Sequence, residues 1–355
     1  MLNNKSILYN NKIIFLKLED FVQKIIKDKA CFICGAPNHS KEFNDEHIIP
    51  NWILRKYKLQ SRKITLPNET QLTYSRYKVP CCKDCNSELG STYEVPMKEL
   101  FSKPYEEIVH ELTNKQEIVE LLYKWLCLIY FKTHLKDTFL KMDQSNPENE
   151  DTIGDIYFWE HFHHIHCIVR SHYTNAKLAP EVYGSLYINK IIRNDSDDPD
   201  KFDYIDNPYT KGILLQLENV CICSILDDSK ATLSLYQNQL NDIHNGLNLY
   251  QFYEIFAHLN YLRINLNEET IFKSIFNTNM NYHIIAERPD TLELISEKDR
   301  IGSHGEFLAF YISRSINPSE KNNKFLKEIE ECQRSFLWDD KGNFSPQCEH
   351  NARAE

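Results

Sequence analysis

The chain has 355 residues, of which 42 % are hydrophobic and 26 % charged. That length suggests about two domains, and the apolar share is enough to bury a core, which excludes a globally disordered chain. The formal net charge of −10 argues against nucleic-acid binding along the whole chain. No uncharged apolar run reaches the ~18 residues of a membrane-spanning helix, so no membrane partner is expected.

The opening stretch, residues 1–21, lacks the continuous apolar core and small-residue cleavage site of a signal peptide. A cytoplasmic location is the expectation. Residues 13–29 read as a short strand or entry segment and then a helix, with Phe21, Val22, Ile25 and Ile26 at helical spacing. A tight turn follows at 31–35, where Gly35 can adopt positive φ. His47-Ile48-Ile49 reads as a short strand ended by Pro50, and Trp52–Tyr57 as a helical turn. The insert 58–75 is polar, with a turn signal at Pro67-Asn68. Val79 returns the chain, Asp84 or Asn86 is expected to cap the next helix, and Pro96 is expected to stop it near Val95.

Asn114-x-x-Glu117 resembles a capping box, and it opens a run over 118–131 that is apolar on nearly every face. A buried helix is expected there. The polar stretch 143–152 is the candidate domain boundary. Beyond it the expected strands are Ile156–Tyr173, Val182–Ile192 and Ile213–Leu226, with an acidic loop at 194–203. Helices are expected at Leu247–Leu262 and Glu268–Phe276, a strand at Asn281–Ala286, a further apolar stretch at Glu306–Ile312, and a tail at 342–355. The fold class is α+β. The organisation expected is an N-terminal domain (1–110), a connecting buried helix (111–142), a C-terminal α+β domain (143–341) and the tail.

Charge is unevenly distributed. Residues 1–110 hold 17 Lys and Arg against 13 Asp and Glu, a net of +4; the remainder, 24 against 38, carries −14. Eight basic residues fall between positions 55 and 83: Arg55, Lys56, Lys58, Arg62, Lys63, Arg76, Lys78 and Lys83. Only Glu69 opposes them. Such a patch is a phosphate-binding footprint, although a charge run alone reads more simply as a solvated loop. Trp159–Cys167 carries four histidines. On a strand, His161 and His163 would share one face and His164 and His166 the other. Pairs at i, i+2 can ligate a metal, but a plain strand is the favoured reading.

Eleven cysteines are present. Cys31/Cys34 and Cys82/Cys85 form two Cys-x-x-Cys pairs, whose spacing suits a closed, tetrahedral, structural zinc site. Cys81 in place of Cys82 would give a Cys-x-x-x-Cys spacing. The remaining cysteines are scattered, as in a reducing cytosol.

Between the pairs stands Glu46-His47-Ile48-Ile49-Pro50, and directly after the second pair stands Asn86. Residues 31 to about 95 resemble an HNH endonuclease of the ββα-metal class with a four-cysteine zinc knuckle, of a bacterial type with a long C-terminal region. The resemblance implies hydrolysis of phosphodiester bonds in DNA with one Mg²⁺ or Mn²⁺. In it His47 is the general base, and Glu46 and Asn86 are metal ligands. An imidazole suits the base because its ordinary pKa lies near neutrality. The basic residues from Arg55 to Lys83 would meet the phosphates of duplex DNA with little sequence preference. The family's middle Asn, which orients the base, falls near Tyr77 here, with Asn51 and Asn68 as replacements. Asp45 reads as a supporting acid or a surface residue. The acidic C-terminal region is expected to sense, target or oligomerise, facing a protein partner or a second copy, in a setting such as anti-phage defence. The alternatives are a non-catalytic zinc-stabilised nucleic-acid-binding or assembly protein, and an RNA-directed nuclease.

Overall fold

The computed structural model describes residues 5–146, 148–193 and 201–346. The fold is mixed α+β, and the chain divides into two compact units. One comprises residues 1–182 and 272–286, the other 183–271 and 287–355. The stretch 143–152 therefore lies within the first unit, and the main division falls at Val182/Tyr183.

The first unit opens with the hairpin β1 (Ile7–Tyr9) and β2 (Lys12–Phe15). Helix α1 (Leu18–Phe21) follows and continues as a widened π turn over Val22–Lys27. Next come β3 (Phe43–His47), α2 (Asn51–Lys56), the hairpin β4 (Lys63–Thr65) and β5 (Gln71–Thr73), then β6 (Lys78–Cys82) and α3 (Lys83–Leu89). The polar insert 58–75 is thus not a plain loop: its turn lies at Leu66–Thr70, and Glu69 takes φ +63°.

Helix α3 does not stop near Val95. A π turn at Gly90–Glu94 leads into α4 (Val95–Leu100), with Pro96 in its first turn. A proline lacks an N–H, and the widened turn is where the regular helical ladder is already interrupted. Neither Asp84 nor Asn86 caps α3; Cys82 stands at its N-cap. After α5 (Tyr105–Asn114) comes α6 (Gln116–Asp137), the expected buried helix. Its cap is not Asn114, whose side chain turns back to the His110 carbonyl at 2.8 Å. Trp125, Leu126, Cys127, Ile129, Tyr130 and Phe131 are all fully buried, so α6 is core of the first unit and not a connector.

Residues 156–173 are mostly helical and contain no strand. Short 3₁₀ turns lead into α7 (His163–Val169) and α8 (Ser171–Thr174). His163, His166, Cys167 and Arg170 fall at i, i+3, i+4 and i+7, one helical face, so a period of 3.6 prevails over the period of two. The short strand β7 (Lys177–Leu178) then pairs with a later segment.

The second unit is built on an antiparallel sheet of β8 (Ser185–Lys190), β9 (Phe202–Asn207), β10 (Gly212–Leu217) and β11 (Val220–Ile225), in the order β8-β11-β10-β9. The run 213–226 is therefore a hairpin, turning at Glu218-Asn219 between Leu217 and Val220. Every residue of β10 and β11 is buried, which hides the alternation that would have marked two strands. Of the acidic loop 194–203, residues 194–200 lie outside the described residues. Helices α9 (Ala231–Asn241) and α10 (Leu249–Ile264) follow, the latter with a full capping box at Asn248 and Gln251.

The segment expected as a helix at 268–276 is strand β12 (Ile271–Phe276). Ile271, Lys273 and Ile275 face out, while Phe272, Ser274 and Phe276 face in, an alternation of period two. It forms a three-stranded sheet with β13 (Tyr282–Glu287) and β7. Helices α11 (His304–Ser313) and α12 (Glu320–Glu330) pack in the second unit. The expected tail begins later than 342: Phe344 bridges Trp338, and the Ser345 carbonyl accepts from Gln251 Nε2 at 3.0 Å. Residues 347–355 lie outside the described residues. None of the described helices is long and apolar enough to cross a membrane.

Phe256 is fully buried in the second unit, 4.9 Å from the Tyr311 ring. Phe256→Ala is expected to cost about 3–5 kcal/mol while leaving metal content unchanged, which denaturant titration with elemental analysis would check.

Candidate functional site

The two cysteine pairs converge. Cys31 and Cys34 lie on a loop closed by hydrogen bonds from the Gly35 N–H to the Cys31 carbonyl (2.8 Å) and from the Cys31 N–H to the Ala36 carbonyl (2.9 Å). Gly35 sits at φ +75°, and a Cβ there would meet Ile13 Cδ1 at 3.0 Å, so the turn requires glycine. Cys82 ends β6, and Cys85 stands in the first turn of α3. The four sulphurs are buried and lie within 4.8 Å of one another. Cys34 Sγ and Cys82 Sγ are 3.7 Å apart, close to the ~3.8 Å that tetrahedral zinc with 2.3 Å bonds imposes. This cluster could hold a structural metal ion such as zinc. Cys81 Sγ is 3.8 Å from Cys31 Sγ but is not one of the four.

The thiols lie within hydrogen-bonding distance of one another. Hydrogen bonds from Cys34, Cys81 and Cys85 hold Cys31 far below the ordinary thiol range, and Cys34 is pushed up to about 12, chiefly by its bond to Cys31. A group of thiols arranged this way could exchange its protons for a metal ion.

The histidine stretch serves this loop. His166 Nε2 donates to the Phe32 carbonyl at 2.8 Å, and burial holds its pKa well below the usual value, so it is neutral. One turn on, Arg170 Nε donates to the Ile33 carbonyl at 2.5 Å, and Nη2 donates to the Ile13 carbonyl. Both carbonyls between Cys31 and Cys34 are therefore satisfied by side chains from α7 and the residue that follows it. His163 binds the Leu16 carbonyl at 2.7 Å, and His164 stacks on Phe272 at 4.1 Å. These histidines are structural, and among the described residues they form no metal cluster.

Strands β3 and β6 pair antiparallel, with Glu46 opposite Val79 and His47 opposite Lys78. Alternation puts Asn44 and Glu46 on one face of β3, and Asp45 and His47 on the other. His47 is half-buried; burial and then Lys78 lower its pKa, which favours the neutral ring. Asp45 is exposed. Asn86, on α3, donates from Nδ2 to Asn44 Oδ1 at 2.7 Å, leaving its own Oδ1 as an acceptor.

Glu46 is only 5 % exposed and pairs with Lys132 of α6, Nζ to Oε1 2.5 Å. Lys132 is 1 % exposed, and its Nζ also donates to the His47 carbonyl at 2.6 Å. Burial pushes the Glu94 carboxyl nearby up to about 7. Glu46 and Asn86 together offer a carboxylate and an amide oxygen, the hard donors that Mg²⁺ or Mn²⁺ takes. Their type fits such an ion, but the carboxylate already has a cationic partner.

The remaining expectations divide. Arg55, Lys56, Lys58, Arg62, Lys63, Arg76 and Lys83 are exposed, and Lys78 is half-buried opposite His47. Lys83 is matched by Glu42 at 3.0 Å. Tyr77 is buried, and its carbonyl accepts from Ile48 N at 3.1 Å. The Asn68 side chain binds the carbonyls of Lys141 and Met142 at 2.9 and 3.3 Å, which leaves its amide nitrogen occupied away from His47. Asn51 opens α2. The residues not anticipated are Asn44, Glu94, Lys132 and Arg170. Lys132 left a trace, because an ionisable residue at the end of an apolar helical run must find a counter-charge.

One tightly held zinc per chain is expected. Cys34→Ser or Cys85→Ser should lose it and unfold the region around the loop. Elemental analysis of protein purified without chelators, with circular dichroism of the variants, provides the check.

No protein family, no curated protein and no solved structure matches the chain.

Proposed function

We propose that the first unit is a metal-dependent endonuclease of the HNH type that hydrolyses phosphodiester bonds in DNA. The observation that carries this reading is the joining of three parts: a strand bearing Glu46-His47, a partner strand ending in the cysteine cluster, and a helix whose Asn86 is hydrogen-bonded back to Asn44 of the first strand. The cysteine cluster fixes where the helix starts. The Asn86–Asn44 bond fixes the amide on the helix against the strand.

In this reading His47 takes the proton from the attacking water. Its lowered pKa keeps the ring neutral, and so able to accept, at neutral pH. A divalent cation, when bound, would stabilise the charge that develops on the leaving oxygen; Glu46 and Asn86 would hold it. Exposed Arg55, Lys56, Lys58, Arg62, Lys63 and Arg76 meet phosphates and position the duplex without reading bases. The second unit senses, targets or oligomerises, facing a protein partner or a second copy, and anti-phage defence is one setting for such a protein. The pairing of Glu46 with Lys132 favours the alternative, a zinc-stabilised nucleic-acid-binding module without catalysis.

Cleavage separates the two. Purified protein incubated with supercoiled plasmid and Mg²⁺ or Mn²⁺ should nick or linearise it, and EDTA should stop the reaction. His47→Ala should lower the rate by about 10²–10⁴-fold with DNA binding and zinc content retained. Wild-type protein that binds but never cuts supports the binding module, and cleavage of RNA in preference to DNA redirects the substrate.

The basic residues have a separate signature. Neutralising Arg62, Lys63 and Arg76 together should weaken binding to all DNA sequences alike. It should also flatten the log–log salt dependence by about 0.9 for each phosphate no longer neutralised. An unchanged slope would remove these residues from the interface.

A further inference from the structure

The carboxylate expected to hold a divalent cation already lies against a positive charge. Lys132 comes from α6, 86 positions after Glu46, and its ammonium bridges Glu46 Oε1 and the His47 carbonyl at 2.5 and 2.6 Å. The residue is 1 % exposed, and its chain neighbours on α6, Phe131 and Thr133, are buried too. An ammonium so buried has no water to replace these two acceptors, so moving it away is costly. The Glu46–Lys132 pair is neutral as a unit, so the carboxylate's charge is already matched and little net attraction for a cation is left at this place.

We propose that Lys132 controls cation loading at this site: it keeps the affinity of the free protein for divalent cations low, so that the ion is retained only when a phosphate of bound DNA adds negative charge. The proposal rests on the reading that Glu46 is a ligand of the divalent ion. A cation on Glu46 would lie within a few ångströms of the ammonium, with little water between them. Like charges at that range in a protein interior repel strongly enough to lower affinity on the order of 100-fold. The incoming phosphate offsets that repulsion with its own charge and completes the set of oxygen donors.

The test uses the full zinc-loaded chain and Mn²⁺ as the probe, followed by calorimetry and by the paramagnetic resonance signal of free Mn²⁺. Lys132→Met removes the charge. Lys132→Gln removes the charge but keeps an N–H donor for the two acceptors. In whichever variant keeps the zinc content and thermal transition of a folded protein, Mn²⁺ should bind on the order of 100-fold more tightly than in wild type. Adding Glu46→Gln should abolish the gain. Equal or weaker binding in a folded Lys132 variant overturns the proposal, as does the absence of Mn²⁺ binding in every protein. If both variants fail to fold, wild type decides: its Mn²⁺ affinity must rise at least about tenfold on adding a phosphorothioate duplex, corrected for Mn²⁺ bound by that duplex alone. No rise overturns the proposal. Plasmid cleavage by wild type is scored separately, so the nuclease reading can stand while control by Lys132 falls.

Discussion

The first unit depends on closing a long loop. Nearly fifty residues separate Cys34 from Cys82, and their sulphurs end 3.7 Å apart. Closing such a loop has an entropic cost that grows slowly with length, and two short strands paired over five residues offer little to offset it. A metal ion on the four thiols would supply the missing stabilisation, since binding energy at such a site is folding energy. The geometry around β3 and the start of α3 follows from that closure. So does the placement of His166 and Arg170, which hold the carbonyls of the cysteine loop, so that the loop is built into the core and is not a free-standing knuckle.

The second constraint is charge. Lys132, Glu46 and Arg170 are almost fully buried, and each has partners that match its chemistry. A buried ammonium on a carboxylate contributes little net stability, because desolvation opposes attraction. What such a pair does provide is a fixed position. Lys132 holds the side chain of Glu46 and the backbone of His47 at once, so the end of β3 is anchored to the central helix just where the candidate base is displayed.

Local chemistry is legible in the sequence where spacing carries it. The two Cys-x-x-Cys pairs, the buried helix α6 with its long apolar run and the need for glycine at position 35 can each be read from a few neighbouring residues. Long-range partners cannot. Nothing near Glu46 points to Lys132, and nothing near Cys31 points to Arg170. The differences in secondary structure share a cause. Histidines at 161–166 fit a two-residue period over a short window, and only the longer reach to Arg170 exposes the helical one. Ile271–Phe276 reads as helix because it follows one, although its β-branched and aromatic residues alternate cleanly. In 213–226 burial on both faces erases the pattern altogether.

The first unit is discontinuous: the chain leaves it after Val182 and returns for residues 272–286. The returning segment is part of its core, since Phe276 and Tyr282 lie 5.8 and 6.4 Å from the ring of Phe15 on β2. This sets an order of events during synthesis. The last of the four clustered thiols leaves the ribosome some two hundred residues before the segment that completes their domain. At ~5–20 residues per second that interval is about 10–40 s. Throughout it, four thiols belong to an unfinished fold, open to metal capture, oxidation or chaperone binding. Early metal capture would make the ion a folding nucleus and not a late addition to a finished protein.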